Sequence, residues 1–183
     1  AKSDCCLVTD GAAAIVLSRS DTAAGNGAAP VPILGAAAAT WYNMISAAPD
    51  ITTTAAKESG ARAMQMAQVS PNEIDVVQLY DAFSINTILF LEDLGFCEKG
   101  AGGDFVSSGG IAPGGHLPVN TNGGGLSYGH PGMYGLFAII EAVRQIQGAA
   151  ANQIDNVDIA LAHANGGTLS SQATVILGSG DTI

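Results

Sequence analysis

One stretch of this sequence decides how its fold is interpreted: Asn120-Thr121-Asn122-Gly123-Gly124-Gly125-Leu126-Ser127-Tyr128-Gly129-His130-Pro131-Gly132-Met133-Tyr134-Gly135. It ends a segment rich in glycine and proline that begins at Gly100 and lies between two well-patterned elements. A disordered linker could have this composition. However, a long glycine loop held inside a fold is more often a functional site than a spacer, particularly when it contains histidine and tyrosine. We therefore expect functional residues in this loop.

On both sides of the loop, apolar residues recur with helical or strand spacing. The clearest helix is predicted over Met133–Ile146, where one face is apolar and Gly148 follows the end. The other predicted elements are strands over Leu7–Ser18, Val31–Ala39, Asp75–Tyr80, Val157–Ala162 and Ser171–Leu177, and helices over Thr52–Gln68 and Ser84–Leu94. The last two strands are expected to form a hairpin around a turn at Ala164–Gly167, and Asp21–Pro32 is the predicted linker. This order predicts an α/β fold.

Composition and charge exclude several classes of function. The 183 residues contain 6 Lys and Arg against 16 Asp and Glu, a formal net charge of −10, so no basic surface for nucleic acid is expected. No apolar run approaches the roughly 20 residues that span a membrane. Three cysteines make no even disulfide framework, which is typical of a reducing cytoplasm. Because the first residue is not Met, we expect a processed chain or part of a longer polypeptide.

Two of the three histidines lie in glycine loops and are candidates for acid–base chemistry. His130 precedes the strongest predicted helix, whose dipole would favour a neutral imidazole that can act as a base. His163 is predicted to end a buried strand, where α/β sheets usually carry their sites. Each could also be a loop histidine satisfied by backbone hydrogen bonds, and His116 has no comparable setting.

No metal site or phosphate-binding loop is predicted. The histidines lack metal-ligand spacing, and the glycine run matches neither a P-loop nor a GxGxxG pattern after a strand. Cys97 is expected at the C-terminal end of a helix, where the dipole raises a thiol pKa. We therefore expect Cys97 to be structural, and the Cys5-Cys6 pair to belong to the core.

Three motifs, taken together, resemble the thiolase family. Asn120 to Gly135 is similar to the thiolase signature Asn-x-x-Gly-Gly-x-x-(small)-x-Gly-His-Pro-x-Gly-x-x-Gly. Tyr80-Asp81-Ala82-Phe83 lies where thiolases carry Asn-Glu-Ala-Phe and the sterol-carrier type carries His-Asp-Cys-Phe. His163-Ala164-Asn165-Gly166-Gly167 lies where classical thiolases carry Cys-x-Gly-Gly-Gly. The resemblance is strongest to the lipid-transfer-protein and sterol-carrier branch, which includes acetyl-CoA acetyltransferase-like proteins.

The resemblance implies roles for the residues that match these motifs. His130, which follows Gly129, matches the base that activates a nucleophilic cysteine and helps to hold the thioester oxygen. Asn165 matches the position whose backbone N–H joins a second oxyanion hole, and Gly166 supports the tight turn. Gly129 and Gly166 are accordingly expected to line the substrate site.

Two positions depart from the classical thiolase pattern. His163 takes the place of the second cysteine, which moves the proton on the α-carbon, and a histidine can perform this chemistry. Tyr80 replaces the Asn or His that holds a catalytic water, and its phenol could hydrogen bond to an oxyanion directly.

The resemblance further implies that the chain is part of a larger enzyme. Residues 1–29 would be the end of the N-terminal thiolase half and a linker, and residues 30–183 the C-terminal thiolase domain, with a mixed five-stranded sheet and helices on its faces. The N-terminal half would supply the nucleophilic cysteine. We therefore expect the isolated chain to be inactive.

The implied activity is acyl transfer on acyl-CoA thioesters, by Claisen condensation or thiolysis. A coenzyme A thioester would be the substrate, and no cofactor would be bound covalently. Two alternatives stay open: a retro-aldolase acting on CoA thioesters, because related steroid side-chain aldolases use tyrosines, and a non-catalytic subunit that binds a partner. The expected partners are the N-terminal half, further copies of the chain, and a small zinc-ribbon/OB-fold accessory protein.

Overall fold

The computed structural model describes residues 1–22 and 29–182, and a four-stranded mixed sheet forms its centre. The strands are β1 (Ile33–Thr40), β2 (Val76–Leu79), β3 (Ile159–Gly166) and β4 (Ser171–Gly178), in the order β1-β4-β3-β2. β2 runs parallel to β3, whereas β4 is antiparallel to both of its neighbours. The predicted α/β class and mixed sheet are confirmed.

Helices cover both faces of this sheet. They are α1 (Ala56–Ala67), α2 (Ser84–Asp93), α3 (Gly102–Ser107), α4 (Gly124–Tyr128) and α5 (Gly135–Ile146). One apolar cluster joins α1 and α2 to the first face, and a second joins α5 to the opposite face. Because both faces are covered, all four residues of β2 are buried, including the polar Gln78.

Close packing of α1 on β1 depends on a glycine. A Cβ atom added at Gly35 would lie 2.2 Å from the backbone oxygen of Ala63. Since no side chain fits in this space, the glycine sets how closely the helix approaches the sheet.

The predicted strand over Leu7–Ser18 is wrong, and the sheet has four strands where five were expected. Residues 7–18 form no strand; Val8 makes an isolated bridge to His130, and Val16 is 92% exposed. An apolar run becomes a strand only when a neighbouring strand pairs with it, and none is adjacent here.

Other differences from the sequence prediction concern the ends of elements. β3 continues to Gly166 because its pairing with β4 extends that far, so only the last residue of the predicted Ala164–Gly167 turn lies outside the strand. The glycine-rich segment contains α3 and α4, and α5 begins two residues later than Met133. Residues 23–28, the middle of the predicted linker, lie outside the described residues, so the domain boundary near residue 29 stays a prediction.

None of the helices within the described ranges has both the length and the apolar character needed to cross a membrane.

Candidate active site

Tyr80 and His130, which belong to two different motifs, meet in the folded chain. The Tyr80 hydroxyl hydrogen bonds to the His130 ring through Nδ1, the nearer of the two ring nitrogens. The two rings are also stacked, with centroids 5.6 Å apart. Tyr80 is buried and His130 is half-buried. The fold therefore brings together a phenol and an imidazole that lie 50 residues apart in the sequence.

His130 is held by backbone contacts with the N-terminal segment. Its N–H donates to the Leu7 oxygen at 2.7 Å, and the Thr9 N–H donates to the His130 oxygen at 3.4 Å. Gly129 has a φ of +138°, and a Cβ atom there would lie 1.9 Å from the Thr9 hydroxyl oxygen. This close approach explains why a glycine precedes the histidine.

The expectation that a helix dipole keeps His130 neutral is not supported. α5 begins at Gly135, five positions beyond His130. Because the effect of the dipole is confined to about the first turn of a helix, the position of His130 in the chain gives it no such influence.

The carboxylate of Asp81 anchors the glycine-rich loop beside Tyr80. Asp81 is 3% exposed and accepts hydrogen bonds from the backbone N–H groups of Gly125, at 2.6 Å, and Leu126, at 3.3 Å. At the start of the loop, the side-chain oxygen of Asn120 accepts a hydrogen bond from the Leu79 N–H at 2.7 Å. Burial raises the pKa of Asp81, and these hydrogen bonds oppose the shift.

Further tyrosines extend the aromatic contacts away from His130. Tyr134 stacks on Tyr80 with ring centroids 5.3 Å apart, and its hydroxyl is 2.9 Å from that of Tyr128. Burial raises the pKa values of Tyr80 and Tyr134 above the ordinary value for a phenol. Both phenols therefore stay protonated near neutral pH and can donate hydrogen bonds.

A cavity of about 360 Å³ lies beside Tyr80, between the start of α5 and the ends of three strands. Its lining has no carboxylate and no basic side chain; it consists of Ala38, Thr40, Tyr80, Gly132, Met133, Tyr134, Gly135, Leu136, Ala164, Asn165, Gly166, Ser171, Gln172 and Ala173. Three of the predicted site residues, Tyr80, Asn165 and Gly166, thus lie around one cavity, whereas His130, Gly129 and His163 are not in the lining.

His163 faces the opposite side of the sheet from Tyr80. Its Nε2 lies 3.0 Å from the side-chain oxygen of Gln172, its Nδ1 lies 2.8 Å from the Thr174 hydroxyl, and its ring packs edge-on against Phe90. Complete burial lowers its pKa to about 4. The acid–base role implied for His163 stays a prediction, and the geometry does not favour it because both nitrogens are occupied and no solvent reaches the ring.

Two residues near the site were not assigned roles from the sequence. Asp81 lies within a recognised motif, so its acidic side chain next to Tyr80 was a visible signal. Asn86, on α2, is 1% exposed and its Nδ2 donates to the Asn165 side-chain oxygen at 3.5 Å. The sequence of α2 gives no indication of the partner of this buried asparagine. Within residues 1–22 and 29–182, no cluster of His, Cys, Asp and Glu could hold a metal ion.

Comparison with known proteins identifies the family. A family model described as "Thiolase C-terminal domain-like" matches residues 37–179. The chain belongs to this thiolase family. This membership confirms the resemblance found from the three motifs and the thiolase-like fold.

Relatives of this thiolase-like chain include two kinds of enzyme. An acetyl-CoA acetyltransferase of Methanothermobacter thermautotrophicus is 39% identical over 176 residues, which are 94% of this chain and 46% of the relative. A 17-hydroxy-3-oxo-4-pregnene-20-carboxyl-CoA lyase of Mycobacterium tuberculosis is 37% identical over 92% of this chain and 44% of the relative. A solved structure described as "Ltp2-ChsH2(DUF35) aldolase" is 33% identical with a TM-score of 0.75, and the match covers 83% of this chain and 40% of that one. The thiolase-like chain spans less than half of the length of these relatives.

Proposed function

We propose that this chain is the C-terminal part of a thiolase-like enzyme that transfers acyl groups between thiols or carbon nucleophiles and coenzyme A thioesters. The observation that carries the proposal is the hydrogen-bonded pair of Tyr80 and His130 beside the cavity. Family membership and the acetyltransferase relative support it.

The Tyr80–His130 pair suits proton transfer to and from a thiol. When Nδ1–H donates to the Tyr80 oxygen, the lone pair of Nε2 is left to act as a base. The proton of an attacking thiol passes to Nε2, and the thiolate adds to the thioester carbonyl carbon. When the tetrahedral intermediate formed at a thioester carbonyl collapses, the carbon–sulfur bond to the leaving thiol breaks and His130 returns the proton to that thiol. On a 3-oxoacyl-CoA the thiolate adds to the 3-oxo carbon instead, the bond from this carbon to the α-carbon breaks, and the proton goes to the α-carbon.

The Tyr80 hydroxyl can stabilise the oxygen of the intermediate. Its pKa is raised by burial, so the phenol keeps its proton and can direct it toward the cavity. No charged side chain lines this cavity, and a hydrogen bond to a developing oxyanion is stronger where few charges compete. An uncharged lining also suits the thioester end of coenzyme A better than its phosphates.

We propose that the nucleophilic cysteine comes from an N-terminal half. Burial raises the pKa values of the Cys6 and Cys97 thiols, which opposes thiolate formation, and neither residue lines the cavity. The extended apolar segment at residues 7–18 supports this proposal. It has exposed side chains that a further sheet could cover: Leu7, Val8, Val16 and Leu17.

The test is a thiolysis assay with a 3-oxoacyl-CoA and free coenzyme A, on the chain joined to its N-terminal half. We expect turnover that His130→Ala lowers by at least about 100-fold, because the base is lost. His116→Ala is the matched control; this histidine contacts Phe105 and does not line the cavity, so activity should be retained. Equal activity of His130→Ala and the unmodified enzyme would contradict the proposal.

Retro-aldol cleavage of a CoA thioester is the second candidate function. Two phenols, those of Tyr80 and Tyr134, line the cavity, and they could handle the proton of a β-hydroxyl group. The lyase relative supports this candidate. The two functions are distinguished by offering the same enzyme a 3-oxoacyl-CoA with coenzyme A and, separately, a 3-hydroxyacyl-CoA with a tertiary hydroxyl. Cleavage of the second substrate without any need for free coenzyme A would favour the aldolase.

We also propose that the complete enzyme binds a second, different subunit. The solved structure that resembles this chain carries two protein names, Ltp2 and ChsH2(DUF35), in its description. The zinc-ribbon/OB-fold protein implied by the thiolase resemblance is the candidate partner. Mixing the two proteins and measuring their mass by light scattering should show one complex, and separate species at micromolar concentrations would contradict this.

A further inference from the structure

A closed circuit of bonds links the two members of the Tyr80–His130 pair. Tyr80 is followed in the chain by Asp81, whose carboxylate accepts the Gly125 N–H at 2.6 Å. The Gly125 oxygen accepts the Gly129 N–H at 2.8 Å, and Gly129 precedes His130. The circuit closes where the His130 ring meets the Tyr80 hydroxyl. Two short hydrogen bonds, through Asp81 and Gly125, therefore connect the chain next to Tyr80 with the chain next to His130.

The glycines of the loop fit the Asp81 carboxylate closely. A Cβ atom added at Gly124 would lie 2.2 Å from Oδ2 of Asp81, and one added at Gly125 would lie 3.0 Å from Oδ1. A side chain at the first position would displace the carboxylate from the backbone N–H groups that it accepts. The glycine run thus receives an acidic side chain of the same chain, which is a reason for its composition that needs no bound phosphate.

Asp81 forms no ion pair within the described part of the chain, and backbone N–H groups together with the Asn120 side chain provide its hydrogen bonds. Buried carboxylates are costly unless hydrogen bonds compensate for lost hydration. Because this compensation comes from the loop, loop and carboxylate depend on each other. Displacing the loop or the carboxylate would therefore move His130, which follows Gly129.

We propose that Asp81 is a positioning residue that sets the distance between the Tyr80 hydroxyl and the His130 ring. It acts through Gly125 and Gly129 and does not touch the substrate. The proposal rests on the proposed function of the Tyr80–His130 pair. Asp81, which lies outside the cavity lining, would control the alignment of the Tyr80–His130 pair. The negative charge of Asp81 also contributes, after burial and Cys6, to the raised pKa of Tyr80.

The chain offers a matched control at the opposite end of the same strand. Asp75, just before β2, accepts the backbone N–H groups of Asp158, at 2.9 Å, and Ile159, at 2.8 Å. It therefore makes the same type of contact as Asp81 but has no connection to the loop that carries His130. Asp81→Asn and Asp75→Asn each replace a carboxylate that accepts two N–H groups by an amide of the same shape.

The experiment measures kcat and KM of both variants in the enzyme completed with its N-terminal half, together with the ¹⁵N chemical shift of His130 Nδ1. For Asp81→Asn we expect kcat to fall about 10- to 100-fold with KM changed less than about threefold, because misalignment by about 1 Å has this effect on a catalytic pair. The Nδ1 signal should move as its hydrogen bond to Tyr80 changes. Asp75→Asn should alter neither kcat nor the signal.

Each outcome decides the proposal. Equal effects of the two variants on kcat and on the His130 signal would overturn it, as would an Asp81→Asn enzyme with both unchanged. If Asp81→Asn does not fold, Gly125→Ala replaces it; the added Cβ pushes against Oδ1 of Asp81, and the same shift and loss of kcat are expected. If the unmodified enzyme shows no turnover, the proposed function fails, and the His130 signal alone still decides whether Asp81 positions the ring.

Discussion

The burial of His163 predicts a specific dependence of stability on pH. In the folded chain its pKa is about 4, because the imidazole is enclosed and cannot be hydrated when charged. In the unfolded chain the pKa of a histidine is about 6.5. Below pH 6.5 the unfolded state therefore binds a proton that the folded state does not. Stability is complete above this pH and decreases as the pH falls toward 4.

The size of this effect follows from the difference between the two pKa values. One pKa unit corresponds to about 1.4 kcal/mol. The protonation of His163 in the unfolded state therefore lowers the free energy of unfolding by about 3 kcal/mol when the pH approaches 4. About 2 kcal/mol of this should be lost between pH 7 and pH 5. The range from pH 7 to pH 5 is the more useful one for the measurement, because fewer carboxylates titrate in it than nearer pH 4.

The assay is urea unfolding of the chain at half-unit steps from pH 7 to pH 5, compared with the His163→Gln variant. Glutamine can still bond to Thr174 but does not titrate, so the variant should be less stable at pH 7 and closer to the unmodified chain at pH 5. His116→Gln is the control and should keep the pH dependence of the unmodified chain. Parallel curves for the unmodified chain and His163→Gln would refute the reasoning, and would show that His163 takes up a proton in the folded state.

This measurement also bears on the chemistry proposed for the site. A histidine that stays neutral down to about pH 4, with both nitrogens bonded, cannot exchange protons with a substrate near neutral pH. If the predicted slope is found, the proton on the α-carbon must be moved by another group. Tyr80, which lines the cavity, and His130, which is hydrogen bonded to Tyr80, are then the candidates.

Two further predictions concern packing and a buried carboxylate. Gly35→Ala should destabilise the chain by about 1–3 kcal/mol in thermal unfolding, because the added Cβ atom would lie 2.2 Å from the Ala63 backbone oxygen. Gly103→Ala is the control, since a Cβ atom there would meet open space; it should be neutral or slightly stabilising in the same measurement. Asp93→Ala should cost about 3 kcal/mol, because the carboxylate accepts both the N–H and the hydroxyl of Thr54 at 2.7 and 2.8 Å; unchanged urea unfolding would contradict this.

The sequence was sufficient to predict most elements of secondary structure. Val76–Leu79 and Ser171–Gly178 agree with the predicted strands to within one residue at each end, since each contains a short apolar stretch bounded by turn residues. Leu7–Ser18 has an equally apolar pattern and is not a strand. The pattern describes what a segment can bury, whereas strand formation also needs a partner, and the strand-like pairing of this segment is limited to the isolated bridge between Val8 and His130.

The motifs also identified His130 and Tyr80 as candidates, because glycine and proline around His130 and the position of Tyr80 at a strand end are local features. That the two side chains would share a hydrogen bond was a property of the fold. It depends on the loop returning to the end of β2, which Asp81 secures through backbone N–H groups that carry no sequence signal. Residue types on a loop are visible in a sequence, but the path that the loop takes is set by its contacts.

By itself, the sequence determined the α/β class, the thiolase family and the loop that carries His130, because spacing of apolar residues and of glycines is encoded locally. Only the tertiary structure decided which face of the sheet His163 takes. The strand that carries His163 has apolar residues on both of its faces. The apolar periodicity therefore did not show which face of the sheet the His163 ring lies on. Pairing with β4 placed the ring beside Thr174 and away from the cavity, since each residue in a strand faces the side opposite to its neighbour.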